Sequence, residues 1–243
     1  MNLIVDVGNT YIKLAVFSEL TLVEKIVVTE EDLIVKLNDI KSKYDVISHA
    51  IISSVNNFLE SGLKFLKENY SVLVLDHNTK IPFKNLYSTP KTLGIDRIAL
   101  VAASVNLYKD KNVLVIDAGT CVTFDFINDK NEYLGGAISP GIRMRYKALH
   151  NQTAKLPLLE TEVPQFLIGD STSNSIHSGV INGIVKEIDG VIQEYSEKYT
   201  DLTIILTGGD TYFLSKQLKS SIFANSNFLL EGLNFILYNN INE

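Results

Sequence analysis

The chain has 243 residues, of which 46% are hydrophobic, 21% charged and 9% aromatic. Those proportions fit a globular protein with a substantial core and exclude disordered and fibrous architectures. With 22 Lys and Arg against 28 Asp and Glu, the formal charge is -6, so no basic surface is offered to nucleic acid or to an anionic membrane. A single cysteine, Cys121, cannot close an internal disulfide, which points to a reducing, cytoplasmic compartment. The opening MNLIVDVGNT lacks a basic segment and meets Asp6 early, so it does not read as a signal peptide. No apolar run reaches the roughly 18 to 20 residues of a membrane helix.

In chain order, apolar stretches at 2–7, 11–17 and 21–28 have strand length and β-branched composition, and they predict a three-stranded antiparallel meander. Leu33, Ile34, Leu37 and Ile40 follow at helical spacing. A strand is predicted at 45–52, an amphipathic helix over Phe58 to Phe65, and a strand at 72–75. Residues 76–92 carry Pro82 and Pro90 with little periodicity and form an irregular loop, of a length that is usually functional. A helix is expected from Thr92 to about Tyr108, marked by Ile95, Ile98, Ala99, Ala102 and Val105.

At residue 113 the opening pattern returns. VLVIDAGTCVTFDFI repeats LIVDVGNTYIKLAVF, with Asp117 on Asp6, Gly119 on Gly8 and Thr120 on Asn9, an offset of 111 residues. A strand at 133–138, a helical region after Gly141, a long helix at 174–199, a strand at 203–206 and two closing helices complete the second half. The simplest account is a duplication on a β-β-β-α-β-α plan, divided into halves 1–112 and 113–243.

Asp6 and Asp117 each end an apolar strand, where a carboxylate costs several kcal/mol unless a cation compensates it. Each is followed by a tight Gly-polar turn that brings backbone N–H groups within reach of phosphate oxygens. One such unit is equally a plain hairpin turn, but two at equivalent positions suggest halves that hold a metal nucleotide between them. There is no lysine-bearing phosphate loop or dinucleotide-type glycine pattern, and the four histidines show no metal-ligand spacing. Cys121 has no nucleophile context and reads as a small strand residue. GIDR at 94–97 puts a carboxylate beside a guanidinium on a helix's first turn. Asp96 could accept a substrate hydroxyl proton while Arg97 pairs with an anionic group, although a helix-capping acid beside a solvated Arg is the plainer alternative. TGGD at 207–210 is a third glycine turn, open to reading as a nucleotide contact or as a simple turn.

Together these residues resemble the type III pantothenate kinases, a family of the actin-like ATPase superfamily, over nearly the whole chain. The phosphate motif DxGNTxxK matches Asp6, Gly8, Asn9, Thr10 and Lys13, and GxDR matches Gly94, Asp96 and Arg97 with Tyr87 and Pro90 upstream. DxGTAxTxD matches Asp117, Gly119, Thr120, Thr123 and Asp125, with Cys121 in place of the usual Ala. GGxIxPG matches Gly135, Gly136, Ile138, Pro140 and Gly141; further on come Leu156 and Pro157, then Gly169, Thr172, Ser175, Ser178 and Gly179.

The resemblance implies an α/β duplicated ribonuclease-H-like fold, with two mixed sheets flanked by helices and an interlobe cleft. It also implies phosphorylation of the terminal hydroxyl of pantothenate by ATP with magnesium, the first committed step toward coenzyme A. By that likeness Asp96 is the general base. Asp6, Val7, Gly8, Asn9, Thr10, Tyr11, Ile12, Lys13 and Thr120 hold ATP, and Asp117 holds a monovalent cation, potassium or ammonium. Tyr87, Gly94, Ile95, Asp96, Arg97 and Thr172 surround pantothenate. A homodimer is implied, with helices near 141–150 and 174–199 as interface candidates and core packing as the competing reading. The rivals are another actin-like small-molecule kinase and a non-catalytic regulatory homologue, the latter disfavoured by the intact Asp6, Asp96 and Asp117.

Overall fold

The computed structural model describes residues 1–8, 11–54 and 60–242. The chain divides into two units, Met1–Lys109 with Asn227–Glu243, and Asp110–Ser226.

In the first unit, β1 (Asn2–Val7), β2 (Ile12–Ser18) and β3 (Thr21–Val28) form the expected meander. Next come α1 (Leu33–Lys43), β4 (His49–Ser54), α2 (Glu60–Asn69) and β5 (Ser71–Val74). The sheet order is β3-β2-β1-β4-β5, with β4 and β5 parallel to their neighbours and the meander antiparallel. Alternation along the strands sends Leu3, Val5, Val7, Leu14 and Val16 into one apolar layer with Leu33, Leu37, Ile40 and Leu66 of α1 and α2. The opposite face is covered by α3 (Ile95–Leu107) and the last helix of the chain.

The predicted strand at 45–52 begins later than its hydrophobicity suggests. Pairing opens at Asn2↔His49 because β1 itself starts there, so the preceding DVIS residues turn into the sheet and do not extend it. Phe58 and Leu59, at the start of the predicted second helix, lie outside the described residues. Between β5 and α3 the chain is irregular apart from β6 (Lys84–Asn85) and a short 3₁₀ turn at Pro90–Thr92. It is nonetheless pinned. Asp76 Oδ1 accepts the N–H groups of Asn78 and Thr79, His77 Nε2 bonds the Leu93 carbonyl at 2.9 Å, and Asn240 Nδ2 donates to the Lys80 carbonyl.

The second unit repeats this plan with β7 (Val113–Ala118), β8 (Cys121–Ile127), β9 (Glu132–Pro140), β10 (Thr203–Thr207) and β11 (Phe223–Ala224). Its strands follow the order β11-β10-β7-β8-β9, which is the first unit's order with the same parallel and antiparallel senses. The duplication expected from the repeat is therefore present strand for strand, in the ribonuclease-H-like arrangement that the resemblance implied. Helices α4 (Ile142–Asn151), α5 (Thr172–His177), α6 (Gly183–Lys198) and α7 (Thr211–Leu214) accompany it. The long helix expected at 174–199 is broken by a turn of π-helix at Ser178–Asn182 between α5 and α6.

Helix α8 (Phe228–Ile241) departs from chain order. The division at 112/113 places it with the second half, yet it packs on α3, β1 and β4 of the first unit. Leu233, Ile236 and Leu237 are buried there, each contributing about 1.5–3 kcal/mol. Gly232 sits against the Ala99 carbonyl of α3 so closely that a Cβ would collide with it. At the buried end, Asn2 Nδ2 donates to Asn234 Oδ1 at 3.0 Å.

Candidate active site

In the first unit the site begins at the C-terminal end of β1. Asp6 is paired in register with Lys13 on β2 and with Ser53 on β4. Since Val5 and Val7 face the α1/α2 layer, these three side chains share the face covered by α3 and α8. Lys13 Nζ donates to Asp6 Oδ2 at 3.1 Å. Asp6 is only 7% exposed. Burial pushes its carboxyl above the usual carboxylate range, Lys13 pulls it back, and the Asp96 charge adds to the upward push. Asp96 therefore lies within electrostatic reach of the β1 acid.

The turn after Asp6 is closed by Gly8 N–H donating to the Tyr11 carbonyl at 3.1 Å. Asn9 and Thr10 lie outside the described residues. Of the other residues assigned to ATP, Val7 and Ile12 point into the apolar layer, so their side chains are structural and only their backbone is offered to a ligand. Tyr11 is exposed.

Gly94 caps α3 from outside, and a Cβ there would collide with Asp96 Oδ1. That oxygen accepts the Arg97 N–H at 2.8 Å, so the carboxyl folds back over the helix start with Oδ2 directed elsewhere. Arg97 is buried, and its guanidinium lies 5.7 Å from the centre of the half-buried Tyr87 ring. This excludes the alternative of a solvated arginine. Tyr87 is held in turn by its N–H donating to Asn85 Oδ1.

In the second unit Asp117 occupies the place of Asp6, paired with Thr123 on β8 and Thr207 on β10. Gly119 N–H closes the turn onto the Cys121 carbonyl at 2.9 Å, and Thr120 is exposed beside it. Two other glycine turns press against this one. Gly141 N–H donates to the Thr120 carbonyl, and Asp210 N–H donates to the Ala118 carbonyl. Gly208, at φ +95°, passes so near Asp117 Oδ1 and the Ala118 carbonyl that a Cβ would clash with both. Burial pushes the Asp210 carboxyl upward.

Beneath the turn, Asp125 is fully buried and accepts from Tyr133 Oη at 2.7 Å and Thr123 Oγ1 at 3.0 Å. Thr123 thus links this buried carboxylate to the strand position opposite Asp117. Thr172 opens α5, which Ser171 caps by accepting the Asn174 N–H. It is exposed on a groove of about 750 Å³ lined also by Leu149, Leu156, Gly169 and Ile176. Sequence reasoning missed Ser53 and Tyr133. A hydroxyl residue at the end of each of the parallel strands, in IISS and in IILT, was the available signal for the first.

The model of the type III pantothenate kinase family matches residues 2–194. A type III pantothenate kinase of Christiangramia forsetii is 56% identical over 238 residues, 98% of each chain. The chain belongs to the type III pantothenate kinase family. Among solved structures, a conserved Baf-family protein of Campylobacter jejuni superposes with TM-score 0.64 at 24% identity, covering 99% of this chain and 100% of that one. A glucokinase from an Antarctic psychrotroph gives TM-score 0.54 at 12% identity, covering 98% of each. Both share the fold, and the family membership rests on the sequence match. The Asp-Gly turns and the GIDR segment of this sequence fall on the two acid-ended strands and on the start of α3, all within the matched residues. No helix among the described residues is long and apolar enough to cross a membrane.

Proposed function

We propose that this chain transfers the γ-phosphoryl group of ATP to the terminal hydroxyl of pantothenate, giving 4′-phosphopantothenate and ADP, the first committed step toward coenzyme A. The observation that carries the reading is the family match over residues 2–194, joined by Asp96 in the first turn of α3 and by Lys13 paired to Asp6 on β1. In this reading the pantothenate hydroxyl oxygen attacks phosphorus as the bond to the ADP oxygen breaks, and the hydroxyl proton passes to Asp96. Oδ1 is held by the Arg97 N–H, so Oδ2 takes the proton.

Residues 6–13, with the Asn9 and Thr10 of the motif, and Thr120 contact the nucleotide. Tyr87, Gly94 through Arg97, and Thr172 contact pantothenate, the buried Arg97 facing its anionic end. The donors suit hard cations: carboxylates and hydroxyls without thiolate or imidazole. Asp6 would hold hydrated magnesium and Asp117 a potassium or ammonium ion, which supply neutralisation of phosphate charge. A cytoplasmic homodimer completes the proposal.

The test is direct. Purified protein with ATP, magnesium and pantothenate, with and without potassium, should yield 4′-phosphopantothenate, while glycerol, glucose and acetate in parallel should not be phosphorylated. Turnover of a sugar in preference to pantothenate would establish a different actin-like kinase, and no turnover of any acceptor would leave a regulatory homologue.

A further inference from the structure

Ser53 carries a buried hydroxyl that the fold does not use and that lies beside the β1 acid. It stands beside Asp6 in the parallel β1/β4 register, and because Ala50 and Ile52 face the apolar layer it projects with Asp6 and Lys13. The side chain is 1% exposed, and its Oγ has no hydrogen-bond partner among the described residues. Buried serines elsewhere are satisfied: Ser104 Oγ donates to the Leu100 carbonyl at 3.1 Å and Ser178 Oγ to the Leu167 carbonyl at 2.6 Å. A desolvated hydroxyl left unbonded lowers stability, so packing alone does not account for it.

The second unit supplies an independent observation. The position beside Asp117 in its own parallel pair is Thr207, also buried, and Leu206 before it faces the apolar layer. In both units, then, the acid that ends the central strand has a buried hydroxyl as its parallel neighbour. Adjacent strands lie about 4.8 Å apart, so the two side-chain oxygens project side by side from one face of the sheet. Magnesium dehydrates reluctantly and keeps several waters when it accompanies a nucleotide.

We propose that Ser53 is a positioning residue for the magnesium–nucleotide group, its hydroxyl accepting a hydrogen bond from a water on the magnesium ion while Asp6 takes another. The inference rests on the ATP-dependent reading above and deepens it.

The experiment uses the full chain carrying Ser53→Ala, with thermal unfolding read without nucleotide, with ADP in EDTA, and with ADP and magnesium. The nucleotide-free variant should unfold at the same temperature as wild type or higher, since an unbonded hydroxyl has been removed. Its shift with metal-free ADP should match wild type, while the additional shift brought by magnesium should shrink. kcat/KM for MgATP should fall about tenfold or more, with KM for pantothenate unchanged. A clear drop in nucleotide-free stability would show that the hydroxyl has a structural partner, and an undiminished magnesium increment would show that it does not serve the metal; either overturns the inference. Wild-type protein that binds MgADP but phosphorylates nothing would refute the kinase reading alone, because the unfolding comparison still reports on Ser53.

Discussion

Replacing Asp96 by Asn separates chemistry from binding more cleanly than any other substitution in this site. The two side chains have the same shape, and the packing of the carboxyl against Gly94 admits either. The Arg97 N–H, 2.8 Å from Oδ1, needs an acceptor, so the amide must present its oxygen there and turn its NH2 toward the direction of Oδ2. A donor then stands where the proton acceptor stood. Loss of general-base help is worth about 100- to 10,000-fold, or about 2.7–5.5 kcal/mol of barrier at 1.36 kcal/mol per tenfold. The same change removes the Asp96 charge that helps to raise the Asp6 carboxyl, so Asp6 ionises more readily in the variant and nucleotide affinity should hold or improve. Steady-state production of 4′-phosphopantothenate gives kcat, and nucleotide titration gives the affinity. Turnover within about threefold of wild type, or a loss confined to KM for ATP, would refute the role.

Three other substitutions test the surrounding physics. Asp6 is raised by burial even with Lys13 beside it, so its ionised form destabilises the fold; that loss is absent below the unfolded carboxylate pKa and grows as pH rises through the folded one. Asp6→Asn should therefore abolish phosphoryl transfer yet stabilise by about 0.5–2 kcal/mol at pH 7, an advantage that calorimetry should find vanishing under acid conditions. Tyr133→Phe removes the 2.7 Å hydrogen bond to the fully buried Asp125, with an expected loss of about 1.5–3 kcal/mol and a Tm fall of about 3–10 °C; an unchanged Tm would mean that the carboxylate is held by other groups. Gly208→Ala places a Cβ at φ +95° against Asp117 and the Ala118 carbonyl, which should cost at least about 1–3 kcal/mol in denaturant unfolding and raise the potassium concentration needed for half-maximal turnover.

Much of this was legible because the two halves state their strand pattern twice. Alternation in LIVDVGN and VLVIDAG set both central strands and their terminal acids, and the same alternation already implied that Val7 and Ile12 face the apolar layer and away from a ligand. Helix α8 was not legible. Its apolar residues demand a partner, but nothing local distinguishes α3 of the first unit from the neighbours that precede it in the chain; the close approach at Gly232 settles the matter only in three dimensions. The burial of Arg97 on Tyr87 was hidden for a similar reason, since an arginine in a first helical turn is usually solvated and the covering ring comes from the irregular segment ten residues earlier. The π turn within 174–199 leaves the hydrophobic spacing nearly unchanged, so the sequence reads as one helix across it.

Return of the last helix to the first unit also orders events at the ribosome. Asn2 waits for Asn234, and β1 remains without its α8 cover until residues 228–241 have been made. The later-encoded unit, whose residues are contiguous, is meanwhile free to close as soon as it emerges. Synthesis thus finishes the second module before the first, and the half-covered sheet of the nascent amino-terminal module is the surface that chaperones would be expected to meet.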